Sequence, residues 1–297
     1  MKKMLTILLQ PFFLLMLLSC SDKTTENKVW MIIQPQLELN RTTKLQIFFA
    51  GKPKPGSIKI IHLEKNDDYD LDPRQIEQQL ASDGTNFYYD IEFTAGRLGK
   101  ATLPVIEAVI DGKTYKTAET SVDVVQKQSV DSNSVKLVLS TDKTAYQMND
   151  TISLFLHDYS RFSQRARFTP ADLVKNGAPE ALFAVIDEGN VDYKVGIVGF
   201  KRYIDSNFNA FNFSWNVNDI GRYMENLNNS TYIKTEIFSM KLVAKKSGKF
   251  KIGSSRFNYK VYPYSEAFKE ESLSEKDLLR TNNRMDVKSN LIEFLVK

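Results

Sequence analysis

Residues 99–125 read Gly99-Lys100-Ala101-Thr102-Leu103-Pro104-Val105-Ile106-Glu107-Ala108-Val109-Ile110-Asp111-Gly112-Lys113-Thr114-Tyr115-Lys116-Thr117-Ala118-Glu119-Thr120-Ser121-Val122-Asp123-Val124-Val125. Asp111-Gly112 divides an apolar run from a second β-prone run. Both residues tolerate positive φ, which a tight two-residue hairpin requires. The same character extends along the chain. Leu45, Ile47 and Phe49 alternate with Lys44, Gln46 and Phe48, and Phe87, Tyr89, Ile91 and Phe93 with Tyr88, Asp90 and Glu92. Ile152, Leu154 and Leu156 alternate with Thr151, Ser153 and Phe155, and Phe211, Phe213, Trp215 and Val217 with Asn212, Ser214 and Asn216. A period of two is what a strand with one face on a core produces.

Helix signals are few. Asp72-Pro73-Arg74-Gln75 combines an N-cap, a proline at the first helical position and a Gln, and predicts a short helix to about Leu80. Asp219 is the expected cap of a second helix, Ile220 to Leu227, and Ser274 to Asn283 is an expected third. The expected fold is therefore all-β: two immunoglobulin-like β-sandwich domains in tandem, with a few short helices.

The inventory narrows the chemistry. The 297 residues include 40 Lys+Arg and 36 Asp+Glu, a formal charge of +4, too even to argue for nucleic acid. One cysteine excludes an intramolecular disulfide, and two histidines leave little from which to build a zinc cage or a Ser-His-Asp centre. No cofactor is expected, and no enzyme.

Lys2 and Lys3 precede an apolar stretch from Met4 to Leu18, shorter than the ~20 residues that span a bilayer. It ends Leu17-Leu18-Ser19-Cys20, which resembles the lipobox of bacterial lipoproteins and contains the only cysteine. The resemblance implies a signal peptide over 1–19, lipid on Cys20 and a polar tether over 20–28. Acyl chains anchor through buried CH2 groups at ~0.8 kcal/mol each. Ser21, not aspartate, follows the cysteine, which by the familiar sorting rule points to the outer rather than the inner membrane.

A polar stretch, Gln126 to Ser134, interrupts the apolar pattern. It sets the expected layout: a first sandwich over 29–127, a linker over 128–134, a second sandwich with an insertion over 135–262, and a C-terminal extension over 263–297. The halves share a signature. Phe93 precedes Gly99 by the same six residues that separate Leu242 from Gly248, and each glycine opens a Gly-Lys strand, to Leu103 and to Ile252. This is what a repeated immunoglobulin-like module would show.

Two passages carry a family resemblance. Gly99-Lys100-Ala101-Thr102-Leu103-Pro104, with Val105–Ile110, the Asp111-Gly112-Lys113-Thr114-Tyr115 turn and Ser121–Val125, is similar to the BatD (oxygen-tolerance) family of bacterial envelope proteins. Ser140-Thr141-Asp142-Lys143-Thr144-Ala145-Tyr146-Gln147-Met148-Asn149-Asp150 resembles the opening of a following domain in that family, and of macroglobulin-type domains. Asn149 stands where those openings carry glycine. The resemblance implies a non-enzymatic envelope protein associated with von Willebrand A-type membrane proteins and a MoxR-type ATPase.

The candidate sites divide between function and structure. Asn66 to Asp72, with Glu77, offers oxygens at alternating positions as calcium loops do, but Leu71 occupies the place of the required glycine and Asp72 suits a helix cap. Arg161, Arg165 and Arg167, with Phe162 and Phe168, could meet phosphate, anionic lipid or an acidic partner, or form a solvated loop. Phe208 to Trp215, interleaved with asparagines, suits either a glycan- or protein-binding platform or a core strand. His62 and His157 read as packing or surface residues, and Glu107 and Glu119 lack a fixed separation for glycoside chemistry. The expected role is protein–protein interaction in the periplasm, with a glycan- or peptide-binding lipoprotein as the alternative. Arg161, Arg165, Arg167 and Tyr203, in the expected insertion between Asp158 and Thr235, are the expected partner contacts.

The anchoring expectation has a direct test. Cys20→Ala should move the protein from the high-salt membrane pellet to the soluble fraction. A variant that pellets as well as wild type would show that lipid at Cys20 is not the anchor.

Overall fold

The computed structural model describes residues 27–61, 68–77, 80–170, 191–216, 218–262 and 284–297. Cys20, the expected leader, His62, Asn66, Asp67 and the expected helix at 274–283 lie outside the described residues.

The first group of strands is β1 (Val29–Ile32), β2 (Gln36–Glu38), β3 (Thr42–Phe49), β4 (Lys59–Ile61), β5 (Tyr69–Leu71), β6 (Ala81–Ser82), β7 (Phe87–Ala95), β8 (Gly99–Thr102), β9 (Val105–Ile110), β10 (Lys113–Lys116) and β11 (Ser121–Val125). The second is β12 (Val135–Thr141), β13 (Ala145–Tyr146), β14 (Ile152–Ser160), β15 (Gln164–Phe168), β16 (Phe208–Trp215), β17 (Tyr223–Leu227), β18 (Ser230–Ala244), β19 (Gly248–Ile252), β20 (Arg256–Tyr262), β21 (Arg284–Lys288) and β22 (Ile292–Val296). Helices α1 (Val191–Val195) and α2 (Phe200–Asn207) lie between β15 and β16.

Strand for strand, the two groups have one topology. In the first, β1-β3-β7-β5 is one layer, with β6 also on β7. In the second, the layer is β12-β14-β18-β16, with β17 also on β18. The facing layer is built on a long hairpin broken in the middle. β9 pairs β10 and β8 pairs β11, and Leu103 and Thr117 bridge the break by donating to the Thr120 and Ile106 carbonyls. In the second group β20 pairs β21 and β19 pairs β22, and Ser289 donates across the break to the Ser255 carbonyl. A third strand, β4 or β15, joins the broken hairpin antiparallel on one side, and a short strand, β2 or β13, joins parallel on the other. Two facing layers with this strand order are those of an immunoglobulin-type sandwich.

Each group closes over its own core. Leu45, Ile47, Phe49, Ile91, Phe93, Ile106 and Val122 are buried in the first, and Leu154, Leu156, Phe238, Leu242, Phe250, Tyr259 and Phe294 in the second. The inward residues are those of the period-two runs, since each layer has one dry face. The Asp111-Gly112 turn has φ of 50° and 75°, as a two-residue hairpin demands. The repeated glycines, Gly99 and Gly248, stand at φ of 106° and 147°, where a side chain would be strained.

The Asp142–Tyr146 passage gains a physical account. The buried Tyr146 hydroxyl accepts the Lys143 amide at 2.9 Å and donates to Asp142 Oδ1 at 2.8 Å. Asp142 in turn accepts the Ser153 amide at 2.7 Å, tying β13 to the start of β14. Burial, and then the Asp142 carboxylate, push the Tyr146 hydroxyl up to about 12. Asn149 has φ of 72°, so it serves where related openings use glycine, because asparagine also enters the left-handed region.

Four expectations are corrected. Tyr223–Leu227 is not a helix but β17: it pairs with β18, and the Asp219 carboxylate is taken by arginines rather than by a helix N-terminus. The helix after Asp72 is one 3-10 turn, Pro73–Glu77. Within the expected C-terminal extension, β21 and β22 are sheet members, and Val287, Phe294 and Val296 belong to the second core. The insertion expected between 158 and 235 contracts to 169–207, since β15, β16, β17 and β18 are regular members of the sandwich.

The groups touch along one junction. Thr231 Oγ1 donates to the Ser121 carbonyl at 2.7 Å, Ser163 Oγ to Gln34 Oε1 at 3.3 Å and Lys100 Nζ to the Asn229 carbonyl at 3.3 Å. Met224, from the second group, packs against the first core.

With separate cores and a small junction, the chain cut within 128–134 should give two halves. Each should show β-type circular dichroism and its own cooperative melt, and Met224→Ser in the whole chain should remove about 1 kcal/mol. If neither half melts cooperatively, the two groups fold only as one body.

Candidate interaction surface

The expected partner contacts do not form a surface. Arg165 and Arg167 lie not in a loop but on β15, where residues two apart share a face, and both point into the second sandwich. Their side chains are 2% exposed. The reason is Asp158 on β14. It continues the inward series Ile152, Leu154, Leu156, so its carboxylate is fully buried and demands a counter-charge.

Arg165 supplies it with a bidentate fork, Nε to Oδ2 at 2.9 Å and Nη2 to Oδ1 at 2.8 Å, and Nη2 also reaches Thr235 Oγ1 at 2.9 Å. Arg167 Nη1 donates to Asp158 at 3.5 Å, and the buried Tyr259 hydroxyl donates at 3.1 Å. The Arg167 guanidinium lies over the rings of Trp215 at 5.1 Å and Phe257 at 5.7 Å. Burial alone would lower the Arg165 pKa, but Asp158 and Asp219 more than offset it and raise it. Burial and Asp158 likewise raise the Tyr259 hydroxyl.

Arg161 stands half-buried at the turn before β15, 3.9 Å from Asp131 and 5.7 Å from the Tyr232 ring. Tyr203 packs α2 onto the second core, and its hydroxyl accepts the Lys251 amide at 3.2 Å. These two residues and the arginine pair on β15 are structural fittings in different places.

The other candidates are also occupied. Asp68 pairs with Arg97 at 2.6 Å, and Asp72 accepts the Arg74 amide at 3.0 Å and binds its guanidinium, which holds its carboxyl below the usual range. Glu107 pairs across strands with Lys116 at 3.1 Å and Lys59 at 4.0 Å, while Glu119 is exposed. His157 sits on β14 beside a bulge. Burial and then Lys234 lower its pKa, and it faces neither the arginine cluster nor the second core.

Exposed apolar residues occur at Leu98, Met148, Leu291 and Leu295, and four more occur on or around β16. Strand β16 is the edge of the layer β12-β14-β18-β16. The alternation in Phe208–Trp215 predicts one buried face, but a bulge between Phe211 and Ser214, with Asn212 at φ of 48°, breaks the register. Phe208 is buried, while Phe211 and Phe213 are 42% and 36% exposed. Val198 before α2 and Ile220 before β17 are 68% and 62% exposed. The sequence marked this stretch by its aromatics and asparagines but not by a register that would turn both phenylalanines outward.

No family model matches the sequence, and no curated protein matches it. Among solved structures, the chain is similar to the adhesin InvE of Yersinia pseudotuberculosis, at 10% identity and a TM-score of 0.21, covering 88% of this chain and 58% of that one.

Proposed function

We propose that the chain is a non-enzymatic, lipid-anchored protein of the cell envelope that works by protein–protein contact in the periplasm, as a BatD-like protein would. The reading is supported by where the exposed apolar side chains fall. Four of the nine large apolar residues exposed among the described residues, Val198, Phe211, Phe213 and Ile220, lie within 23 residues of chain, on β16 or in the segments flanking it, and β16 is the edge strand of its layer among the described residues. A sandwich needs no such residues there, and apolar residues gathered at one place on a surface mark contact sites. The proposed contact is therefore this edge rather than Arg165 or Tyr203. The lipid at Cys20 and the tether behind it would hold the two sandwiches at the membrane face, within reach of membrane-bound partners such as von Willebrand A-type proteins. A glycan- or peptide-binding role is the second reading. It is favoured by Asn209 and Asn212, which stand exposed beside the two phenylalanines.

A crosslinking pull-down from membranes tests the reading against the earlier expectation. Phe211→Ser with Ile220→Ser should leave the thermal melt within about 0.5 kcal/mol of wild type, as surface changes do, and should lose the partner. Arg165→Ala should instead destabilise by about 3–5 kcal/mol, because it leaves the Asp158 carboxylate buried without its main counter-charge. A full partner yield from the Phe211/Ile220 variant would remove the contact from this edge.

A further inference from the structure

The junction between the two groups of strands encloses a cleft of about 590 Å³. Trp30 and Met31 of β1 and Ala118 line it from the first group, and Arg222, Tyr223 and Met224 from the second. It is of ligand size, and an interface between units is where ligand clefts commonly form. Its apolar lining is two methionines and an alanine, and each unit contributes one aromatic wall.

Both walls are held in place. Trp30 stacks on Phe48 of β3 with ring centroids 5.4 Å apart and planes 8° from parallel, and Phe48 in turn meets Tyr88 at 5.6 Å. Tyr223 carries the Lys234 ammonium over its ring at 5.4 Å, and Lys234 pairs with Glu225 at 3.0 Å. Yet Tyr223 remains 40% exposed. Rings fixed from outside a cleft lose little freedom when something enters it, which favours binding.

Asn27, Thr117 and Thr120 add neutral polar groups, and the one charged residue of the lining, Arg222, is a cation in excess. Arg165, Arg167 and Arg222 gather near Asp158 and Asp219, three guanidinium groups to two carboxylates. Asp158 and Asp219 both pair with Arg165 and Arg167. Among the described residues, Arg222 makes a single hydrogen bond, Nη2 to the Ser163 carbonyl at 2.7 Å. Its Nε is shielded from solvent and has no hydrogen-bond partner. Burial, and then repulsion from Arg165, lower its pKa to about 10, so it remains charged at neutral pH. A partly buried guanidinium without a carboxylate of its own favours an anion beside it.

We infer that this cleft binds an organic anion with a flat, ring-bearing apolar body: the body between Trp30 and Tyr223, the charge at Arg222. The site is complete only when the two groups of strands are docked, because each supplies one wall. It goes beyond the protein contact proposed above and does not depend on it.

Two fluorescent probes of the same shape test the inference on the full chain: 8-anilinonaphthalene-1-sulfonate, an anion, and N-phenyl-1-naphthylamine, its neutral counterpart. The anion should bind at one site and about tenfold more tightly than the neutral probe, the effect of one charge-assisted hydrogen bond. Arg222→Gln should abolish that preference and leave the neutral probe unchanged, and Tyr223→Ala should weaken both. Should Arg222→Gln fail to melt cooperatively, Tyr223→Glu on the exposed wall should repel the anion and spare the neutral probe. Equal binding of both probes by wild type, or anion binding unmoved by the Arg222 and Tyr223 substitutions, would overturn the site. Partner recovery from the same Arg222→Gln preparation should equal wild type, so the two readings fail separately.

Discussion

The second sandwich depends on one buried carboxylate. Asp158 is fully buried among apolar side chains, where an uncompensated charge would be very unfavourable. Its partners come from both layers: β14 supplies the acid, β15 the two arginines, β20 the Tyr259 hydroxyl, and Thr235 of β18 shares the Arg165 fork. Removing any of them leaves charge or donors unmatched in a low-dielectric space. The spacing of the two layers and the position of β15 are therefore coupled to one atom group. The coupling runs on to the junction. Arg165 and Arg167 reach Asp219, the repulsion of Arg165 is felt at Arg222, Arg222 donates to the Ser163 carbonyl, and Ser163 Oγ meets Gln34 of the first group.

The first sandwich has the same strand order, and among its described residues no such buried ionic cluster occurs. Its corresponding strands, β3, β4 and β7, place apolar residues such as Leu45, Ile47, Ile60 and Ile91 against the core. One topology thus supports two kinds of interior. The first is held by area removed from water, and the second adds an ionic network that fixes geometry more than it adds stability. The units also differ between the fourth and fifth strand positions. There the second carries the segment 169–207 with α1 and α2. Helix α2 buries Phe200 and Ile204 and leads into Phe208, whose ring meets Phe250 at 4.7 Å and Phe294 at 6.0 Å. This ring cluster secures the start of β16 to the opposite layer, so that the exposed edge beyond it projects from a firm base.

Local chemistry was legible wherever one rule acted alone. The period of two in β3, β7 and β14 marked inward residues because each strand has one dry side. Asp111-Gly112 marked a turn because few residue pairs accept positive φ twice. The glycines at 99 and 248 marked a repeat, and among the described residues 11 strands in each group correspond in order. The candidate surface was legible only as a composition: aromatics and asparagines stood out, but the bulge at Asn212 decided which of them face water.

What the amino-acid sequence determined by itself was the all-β class, the tight turn at Asp111-Gly112 and the inward series of the regular strands. All are set by residues within a few positions of one another. Tertiary structure alone decided the rest. Arginines two apart read as surface charge for a partner until a carboxylate from the preceding strand, and a hydroxyl 101 residues beyond that carboxylate, close over them. Asp219 read as a helix cap until those same arginines took its carboxylate and β18 offered β17 its backbone. The last residues read as an extension until β22 paired with β13, about 150 positions earlier in the chain. In each case the deciding partner is distant in sequence, and a charge or an unpaired strand reveals its meaning only when the chain brings that partner to it.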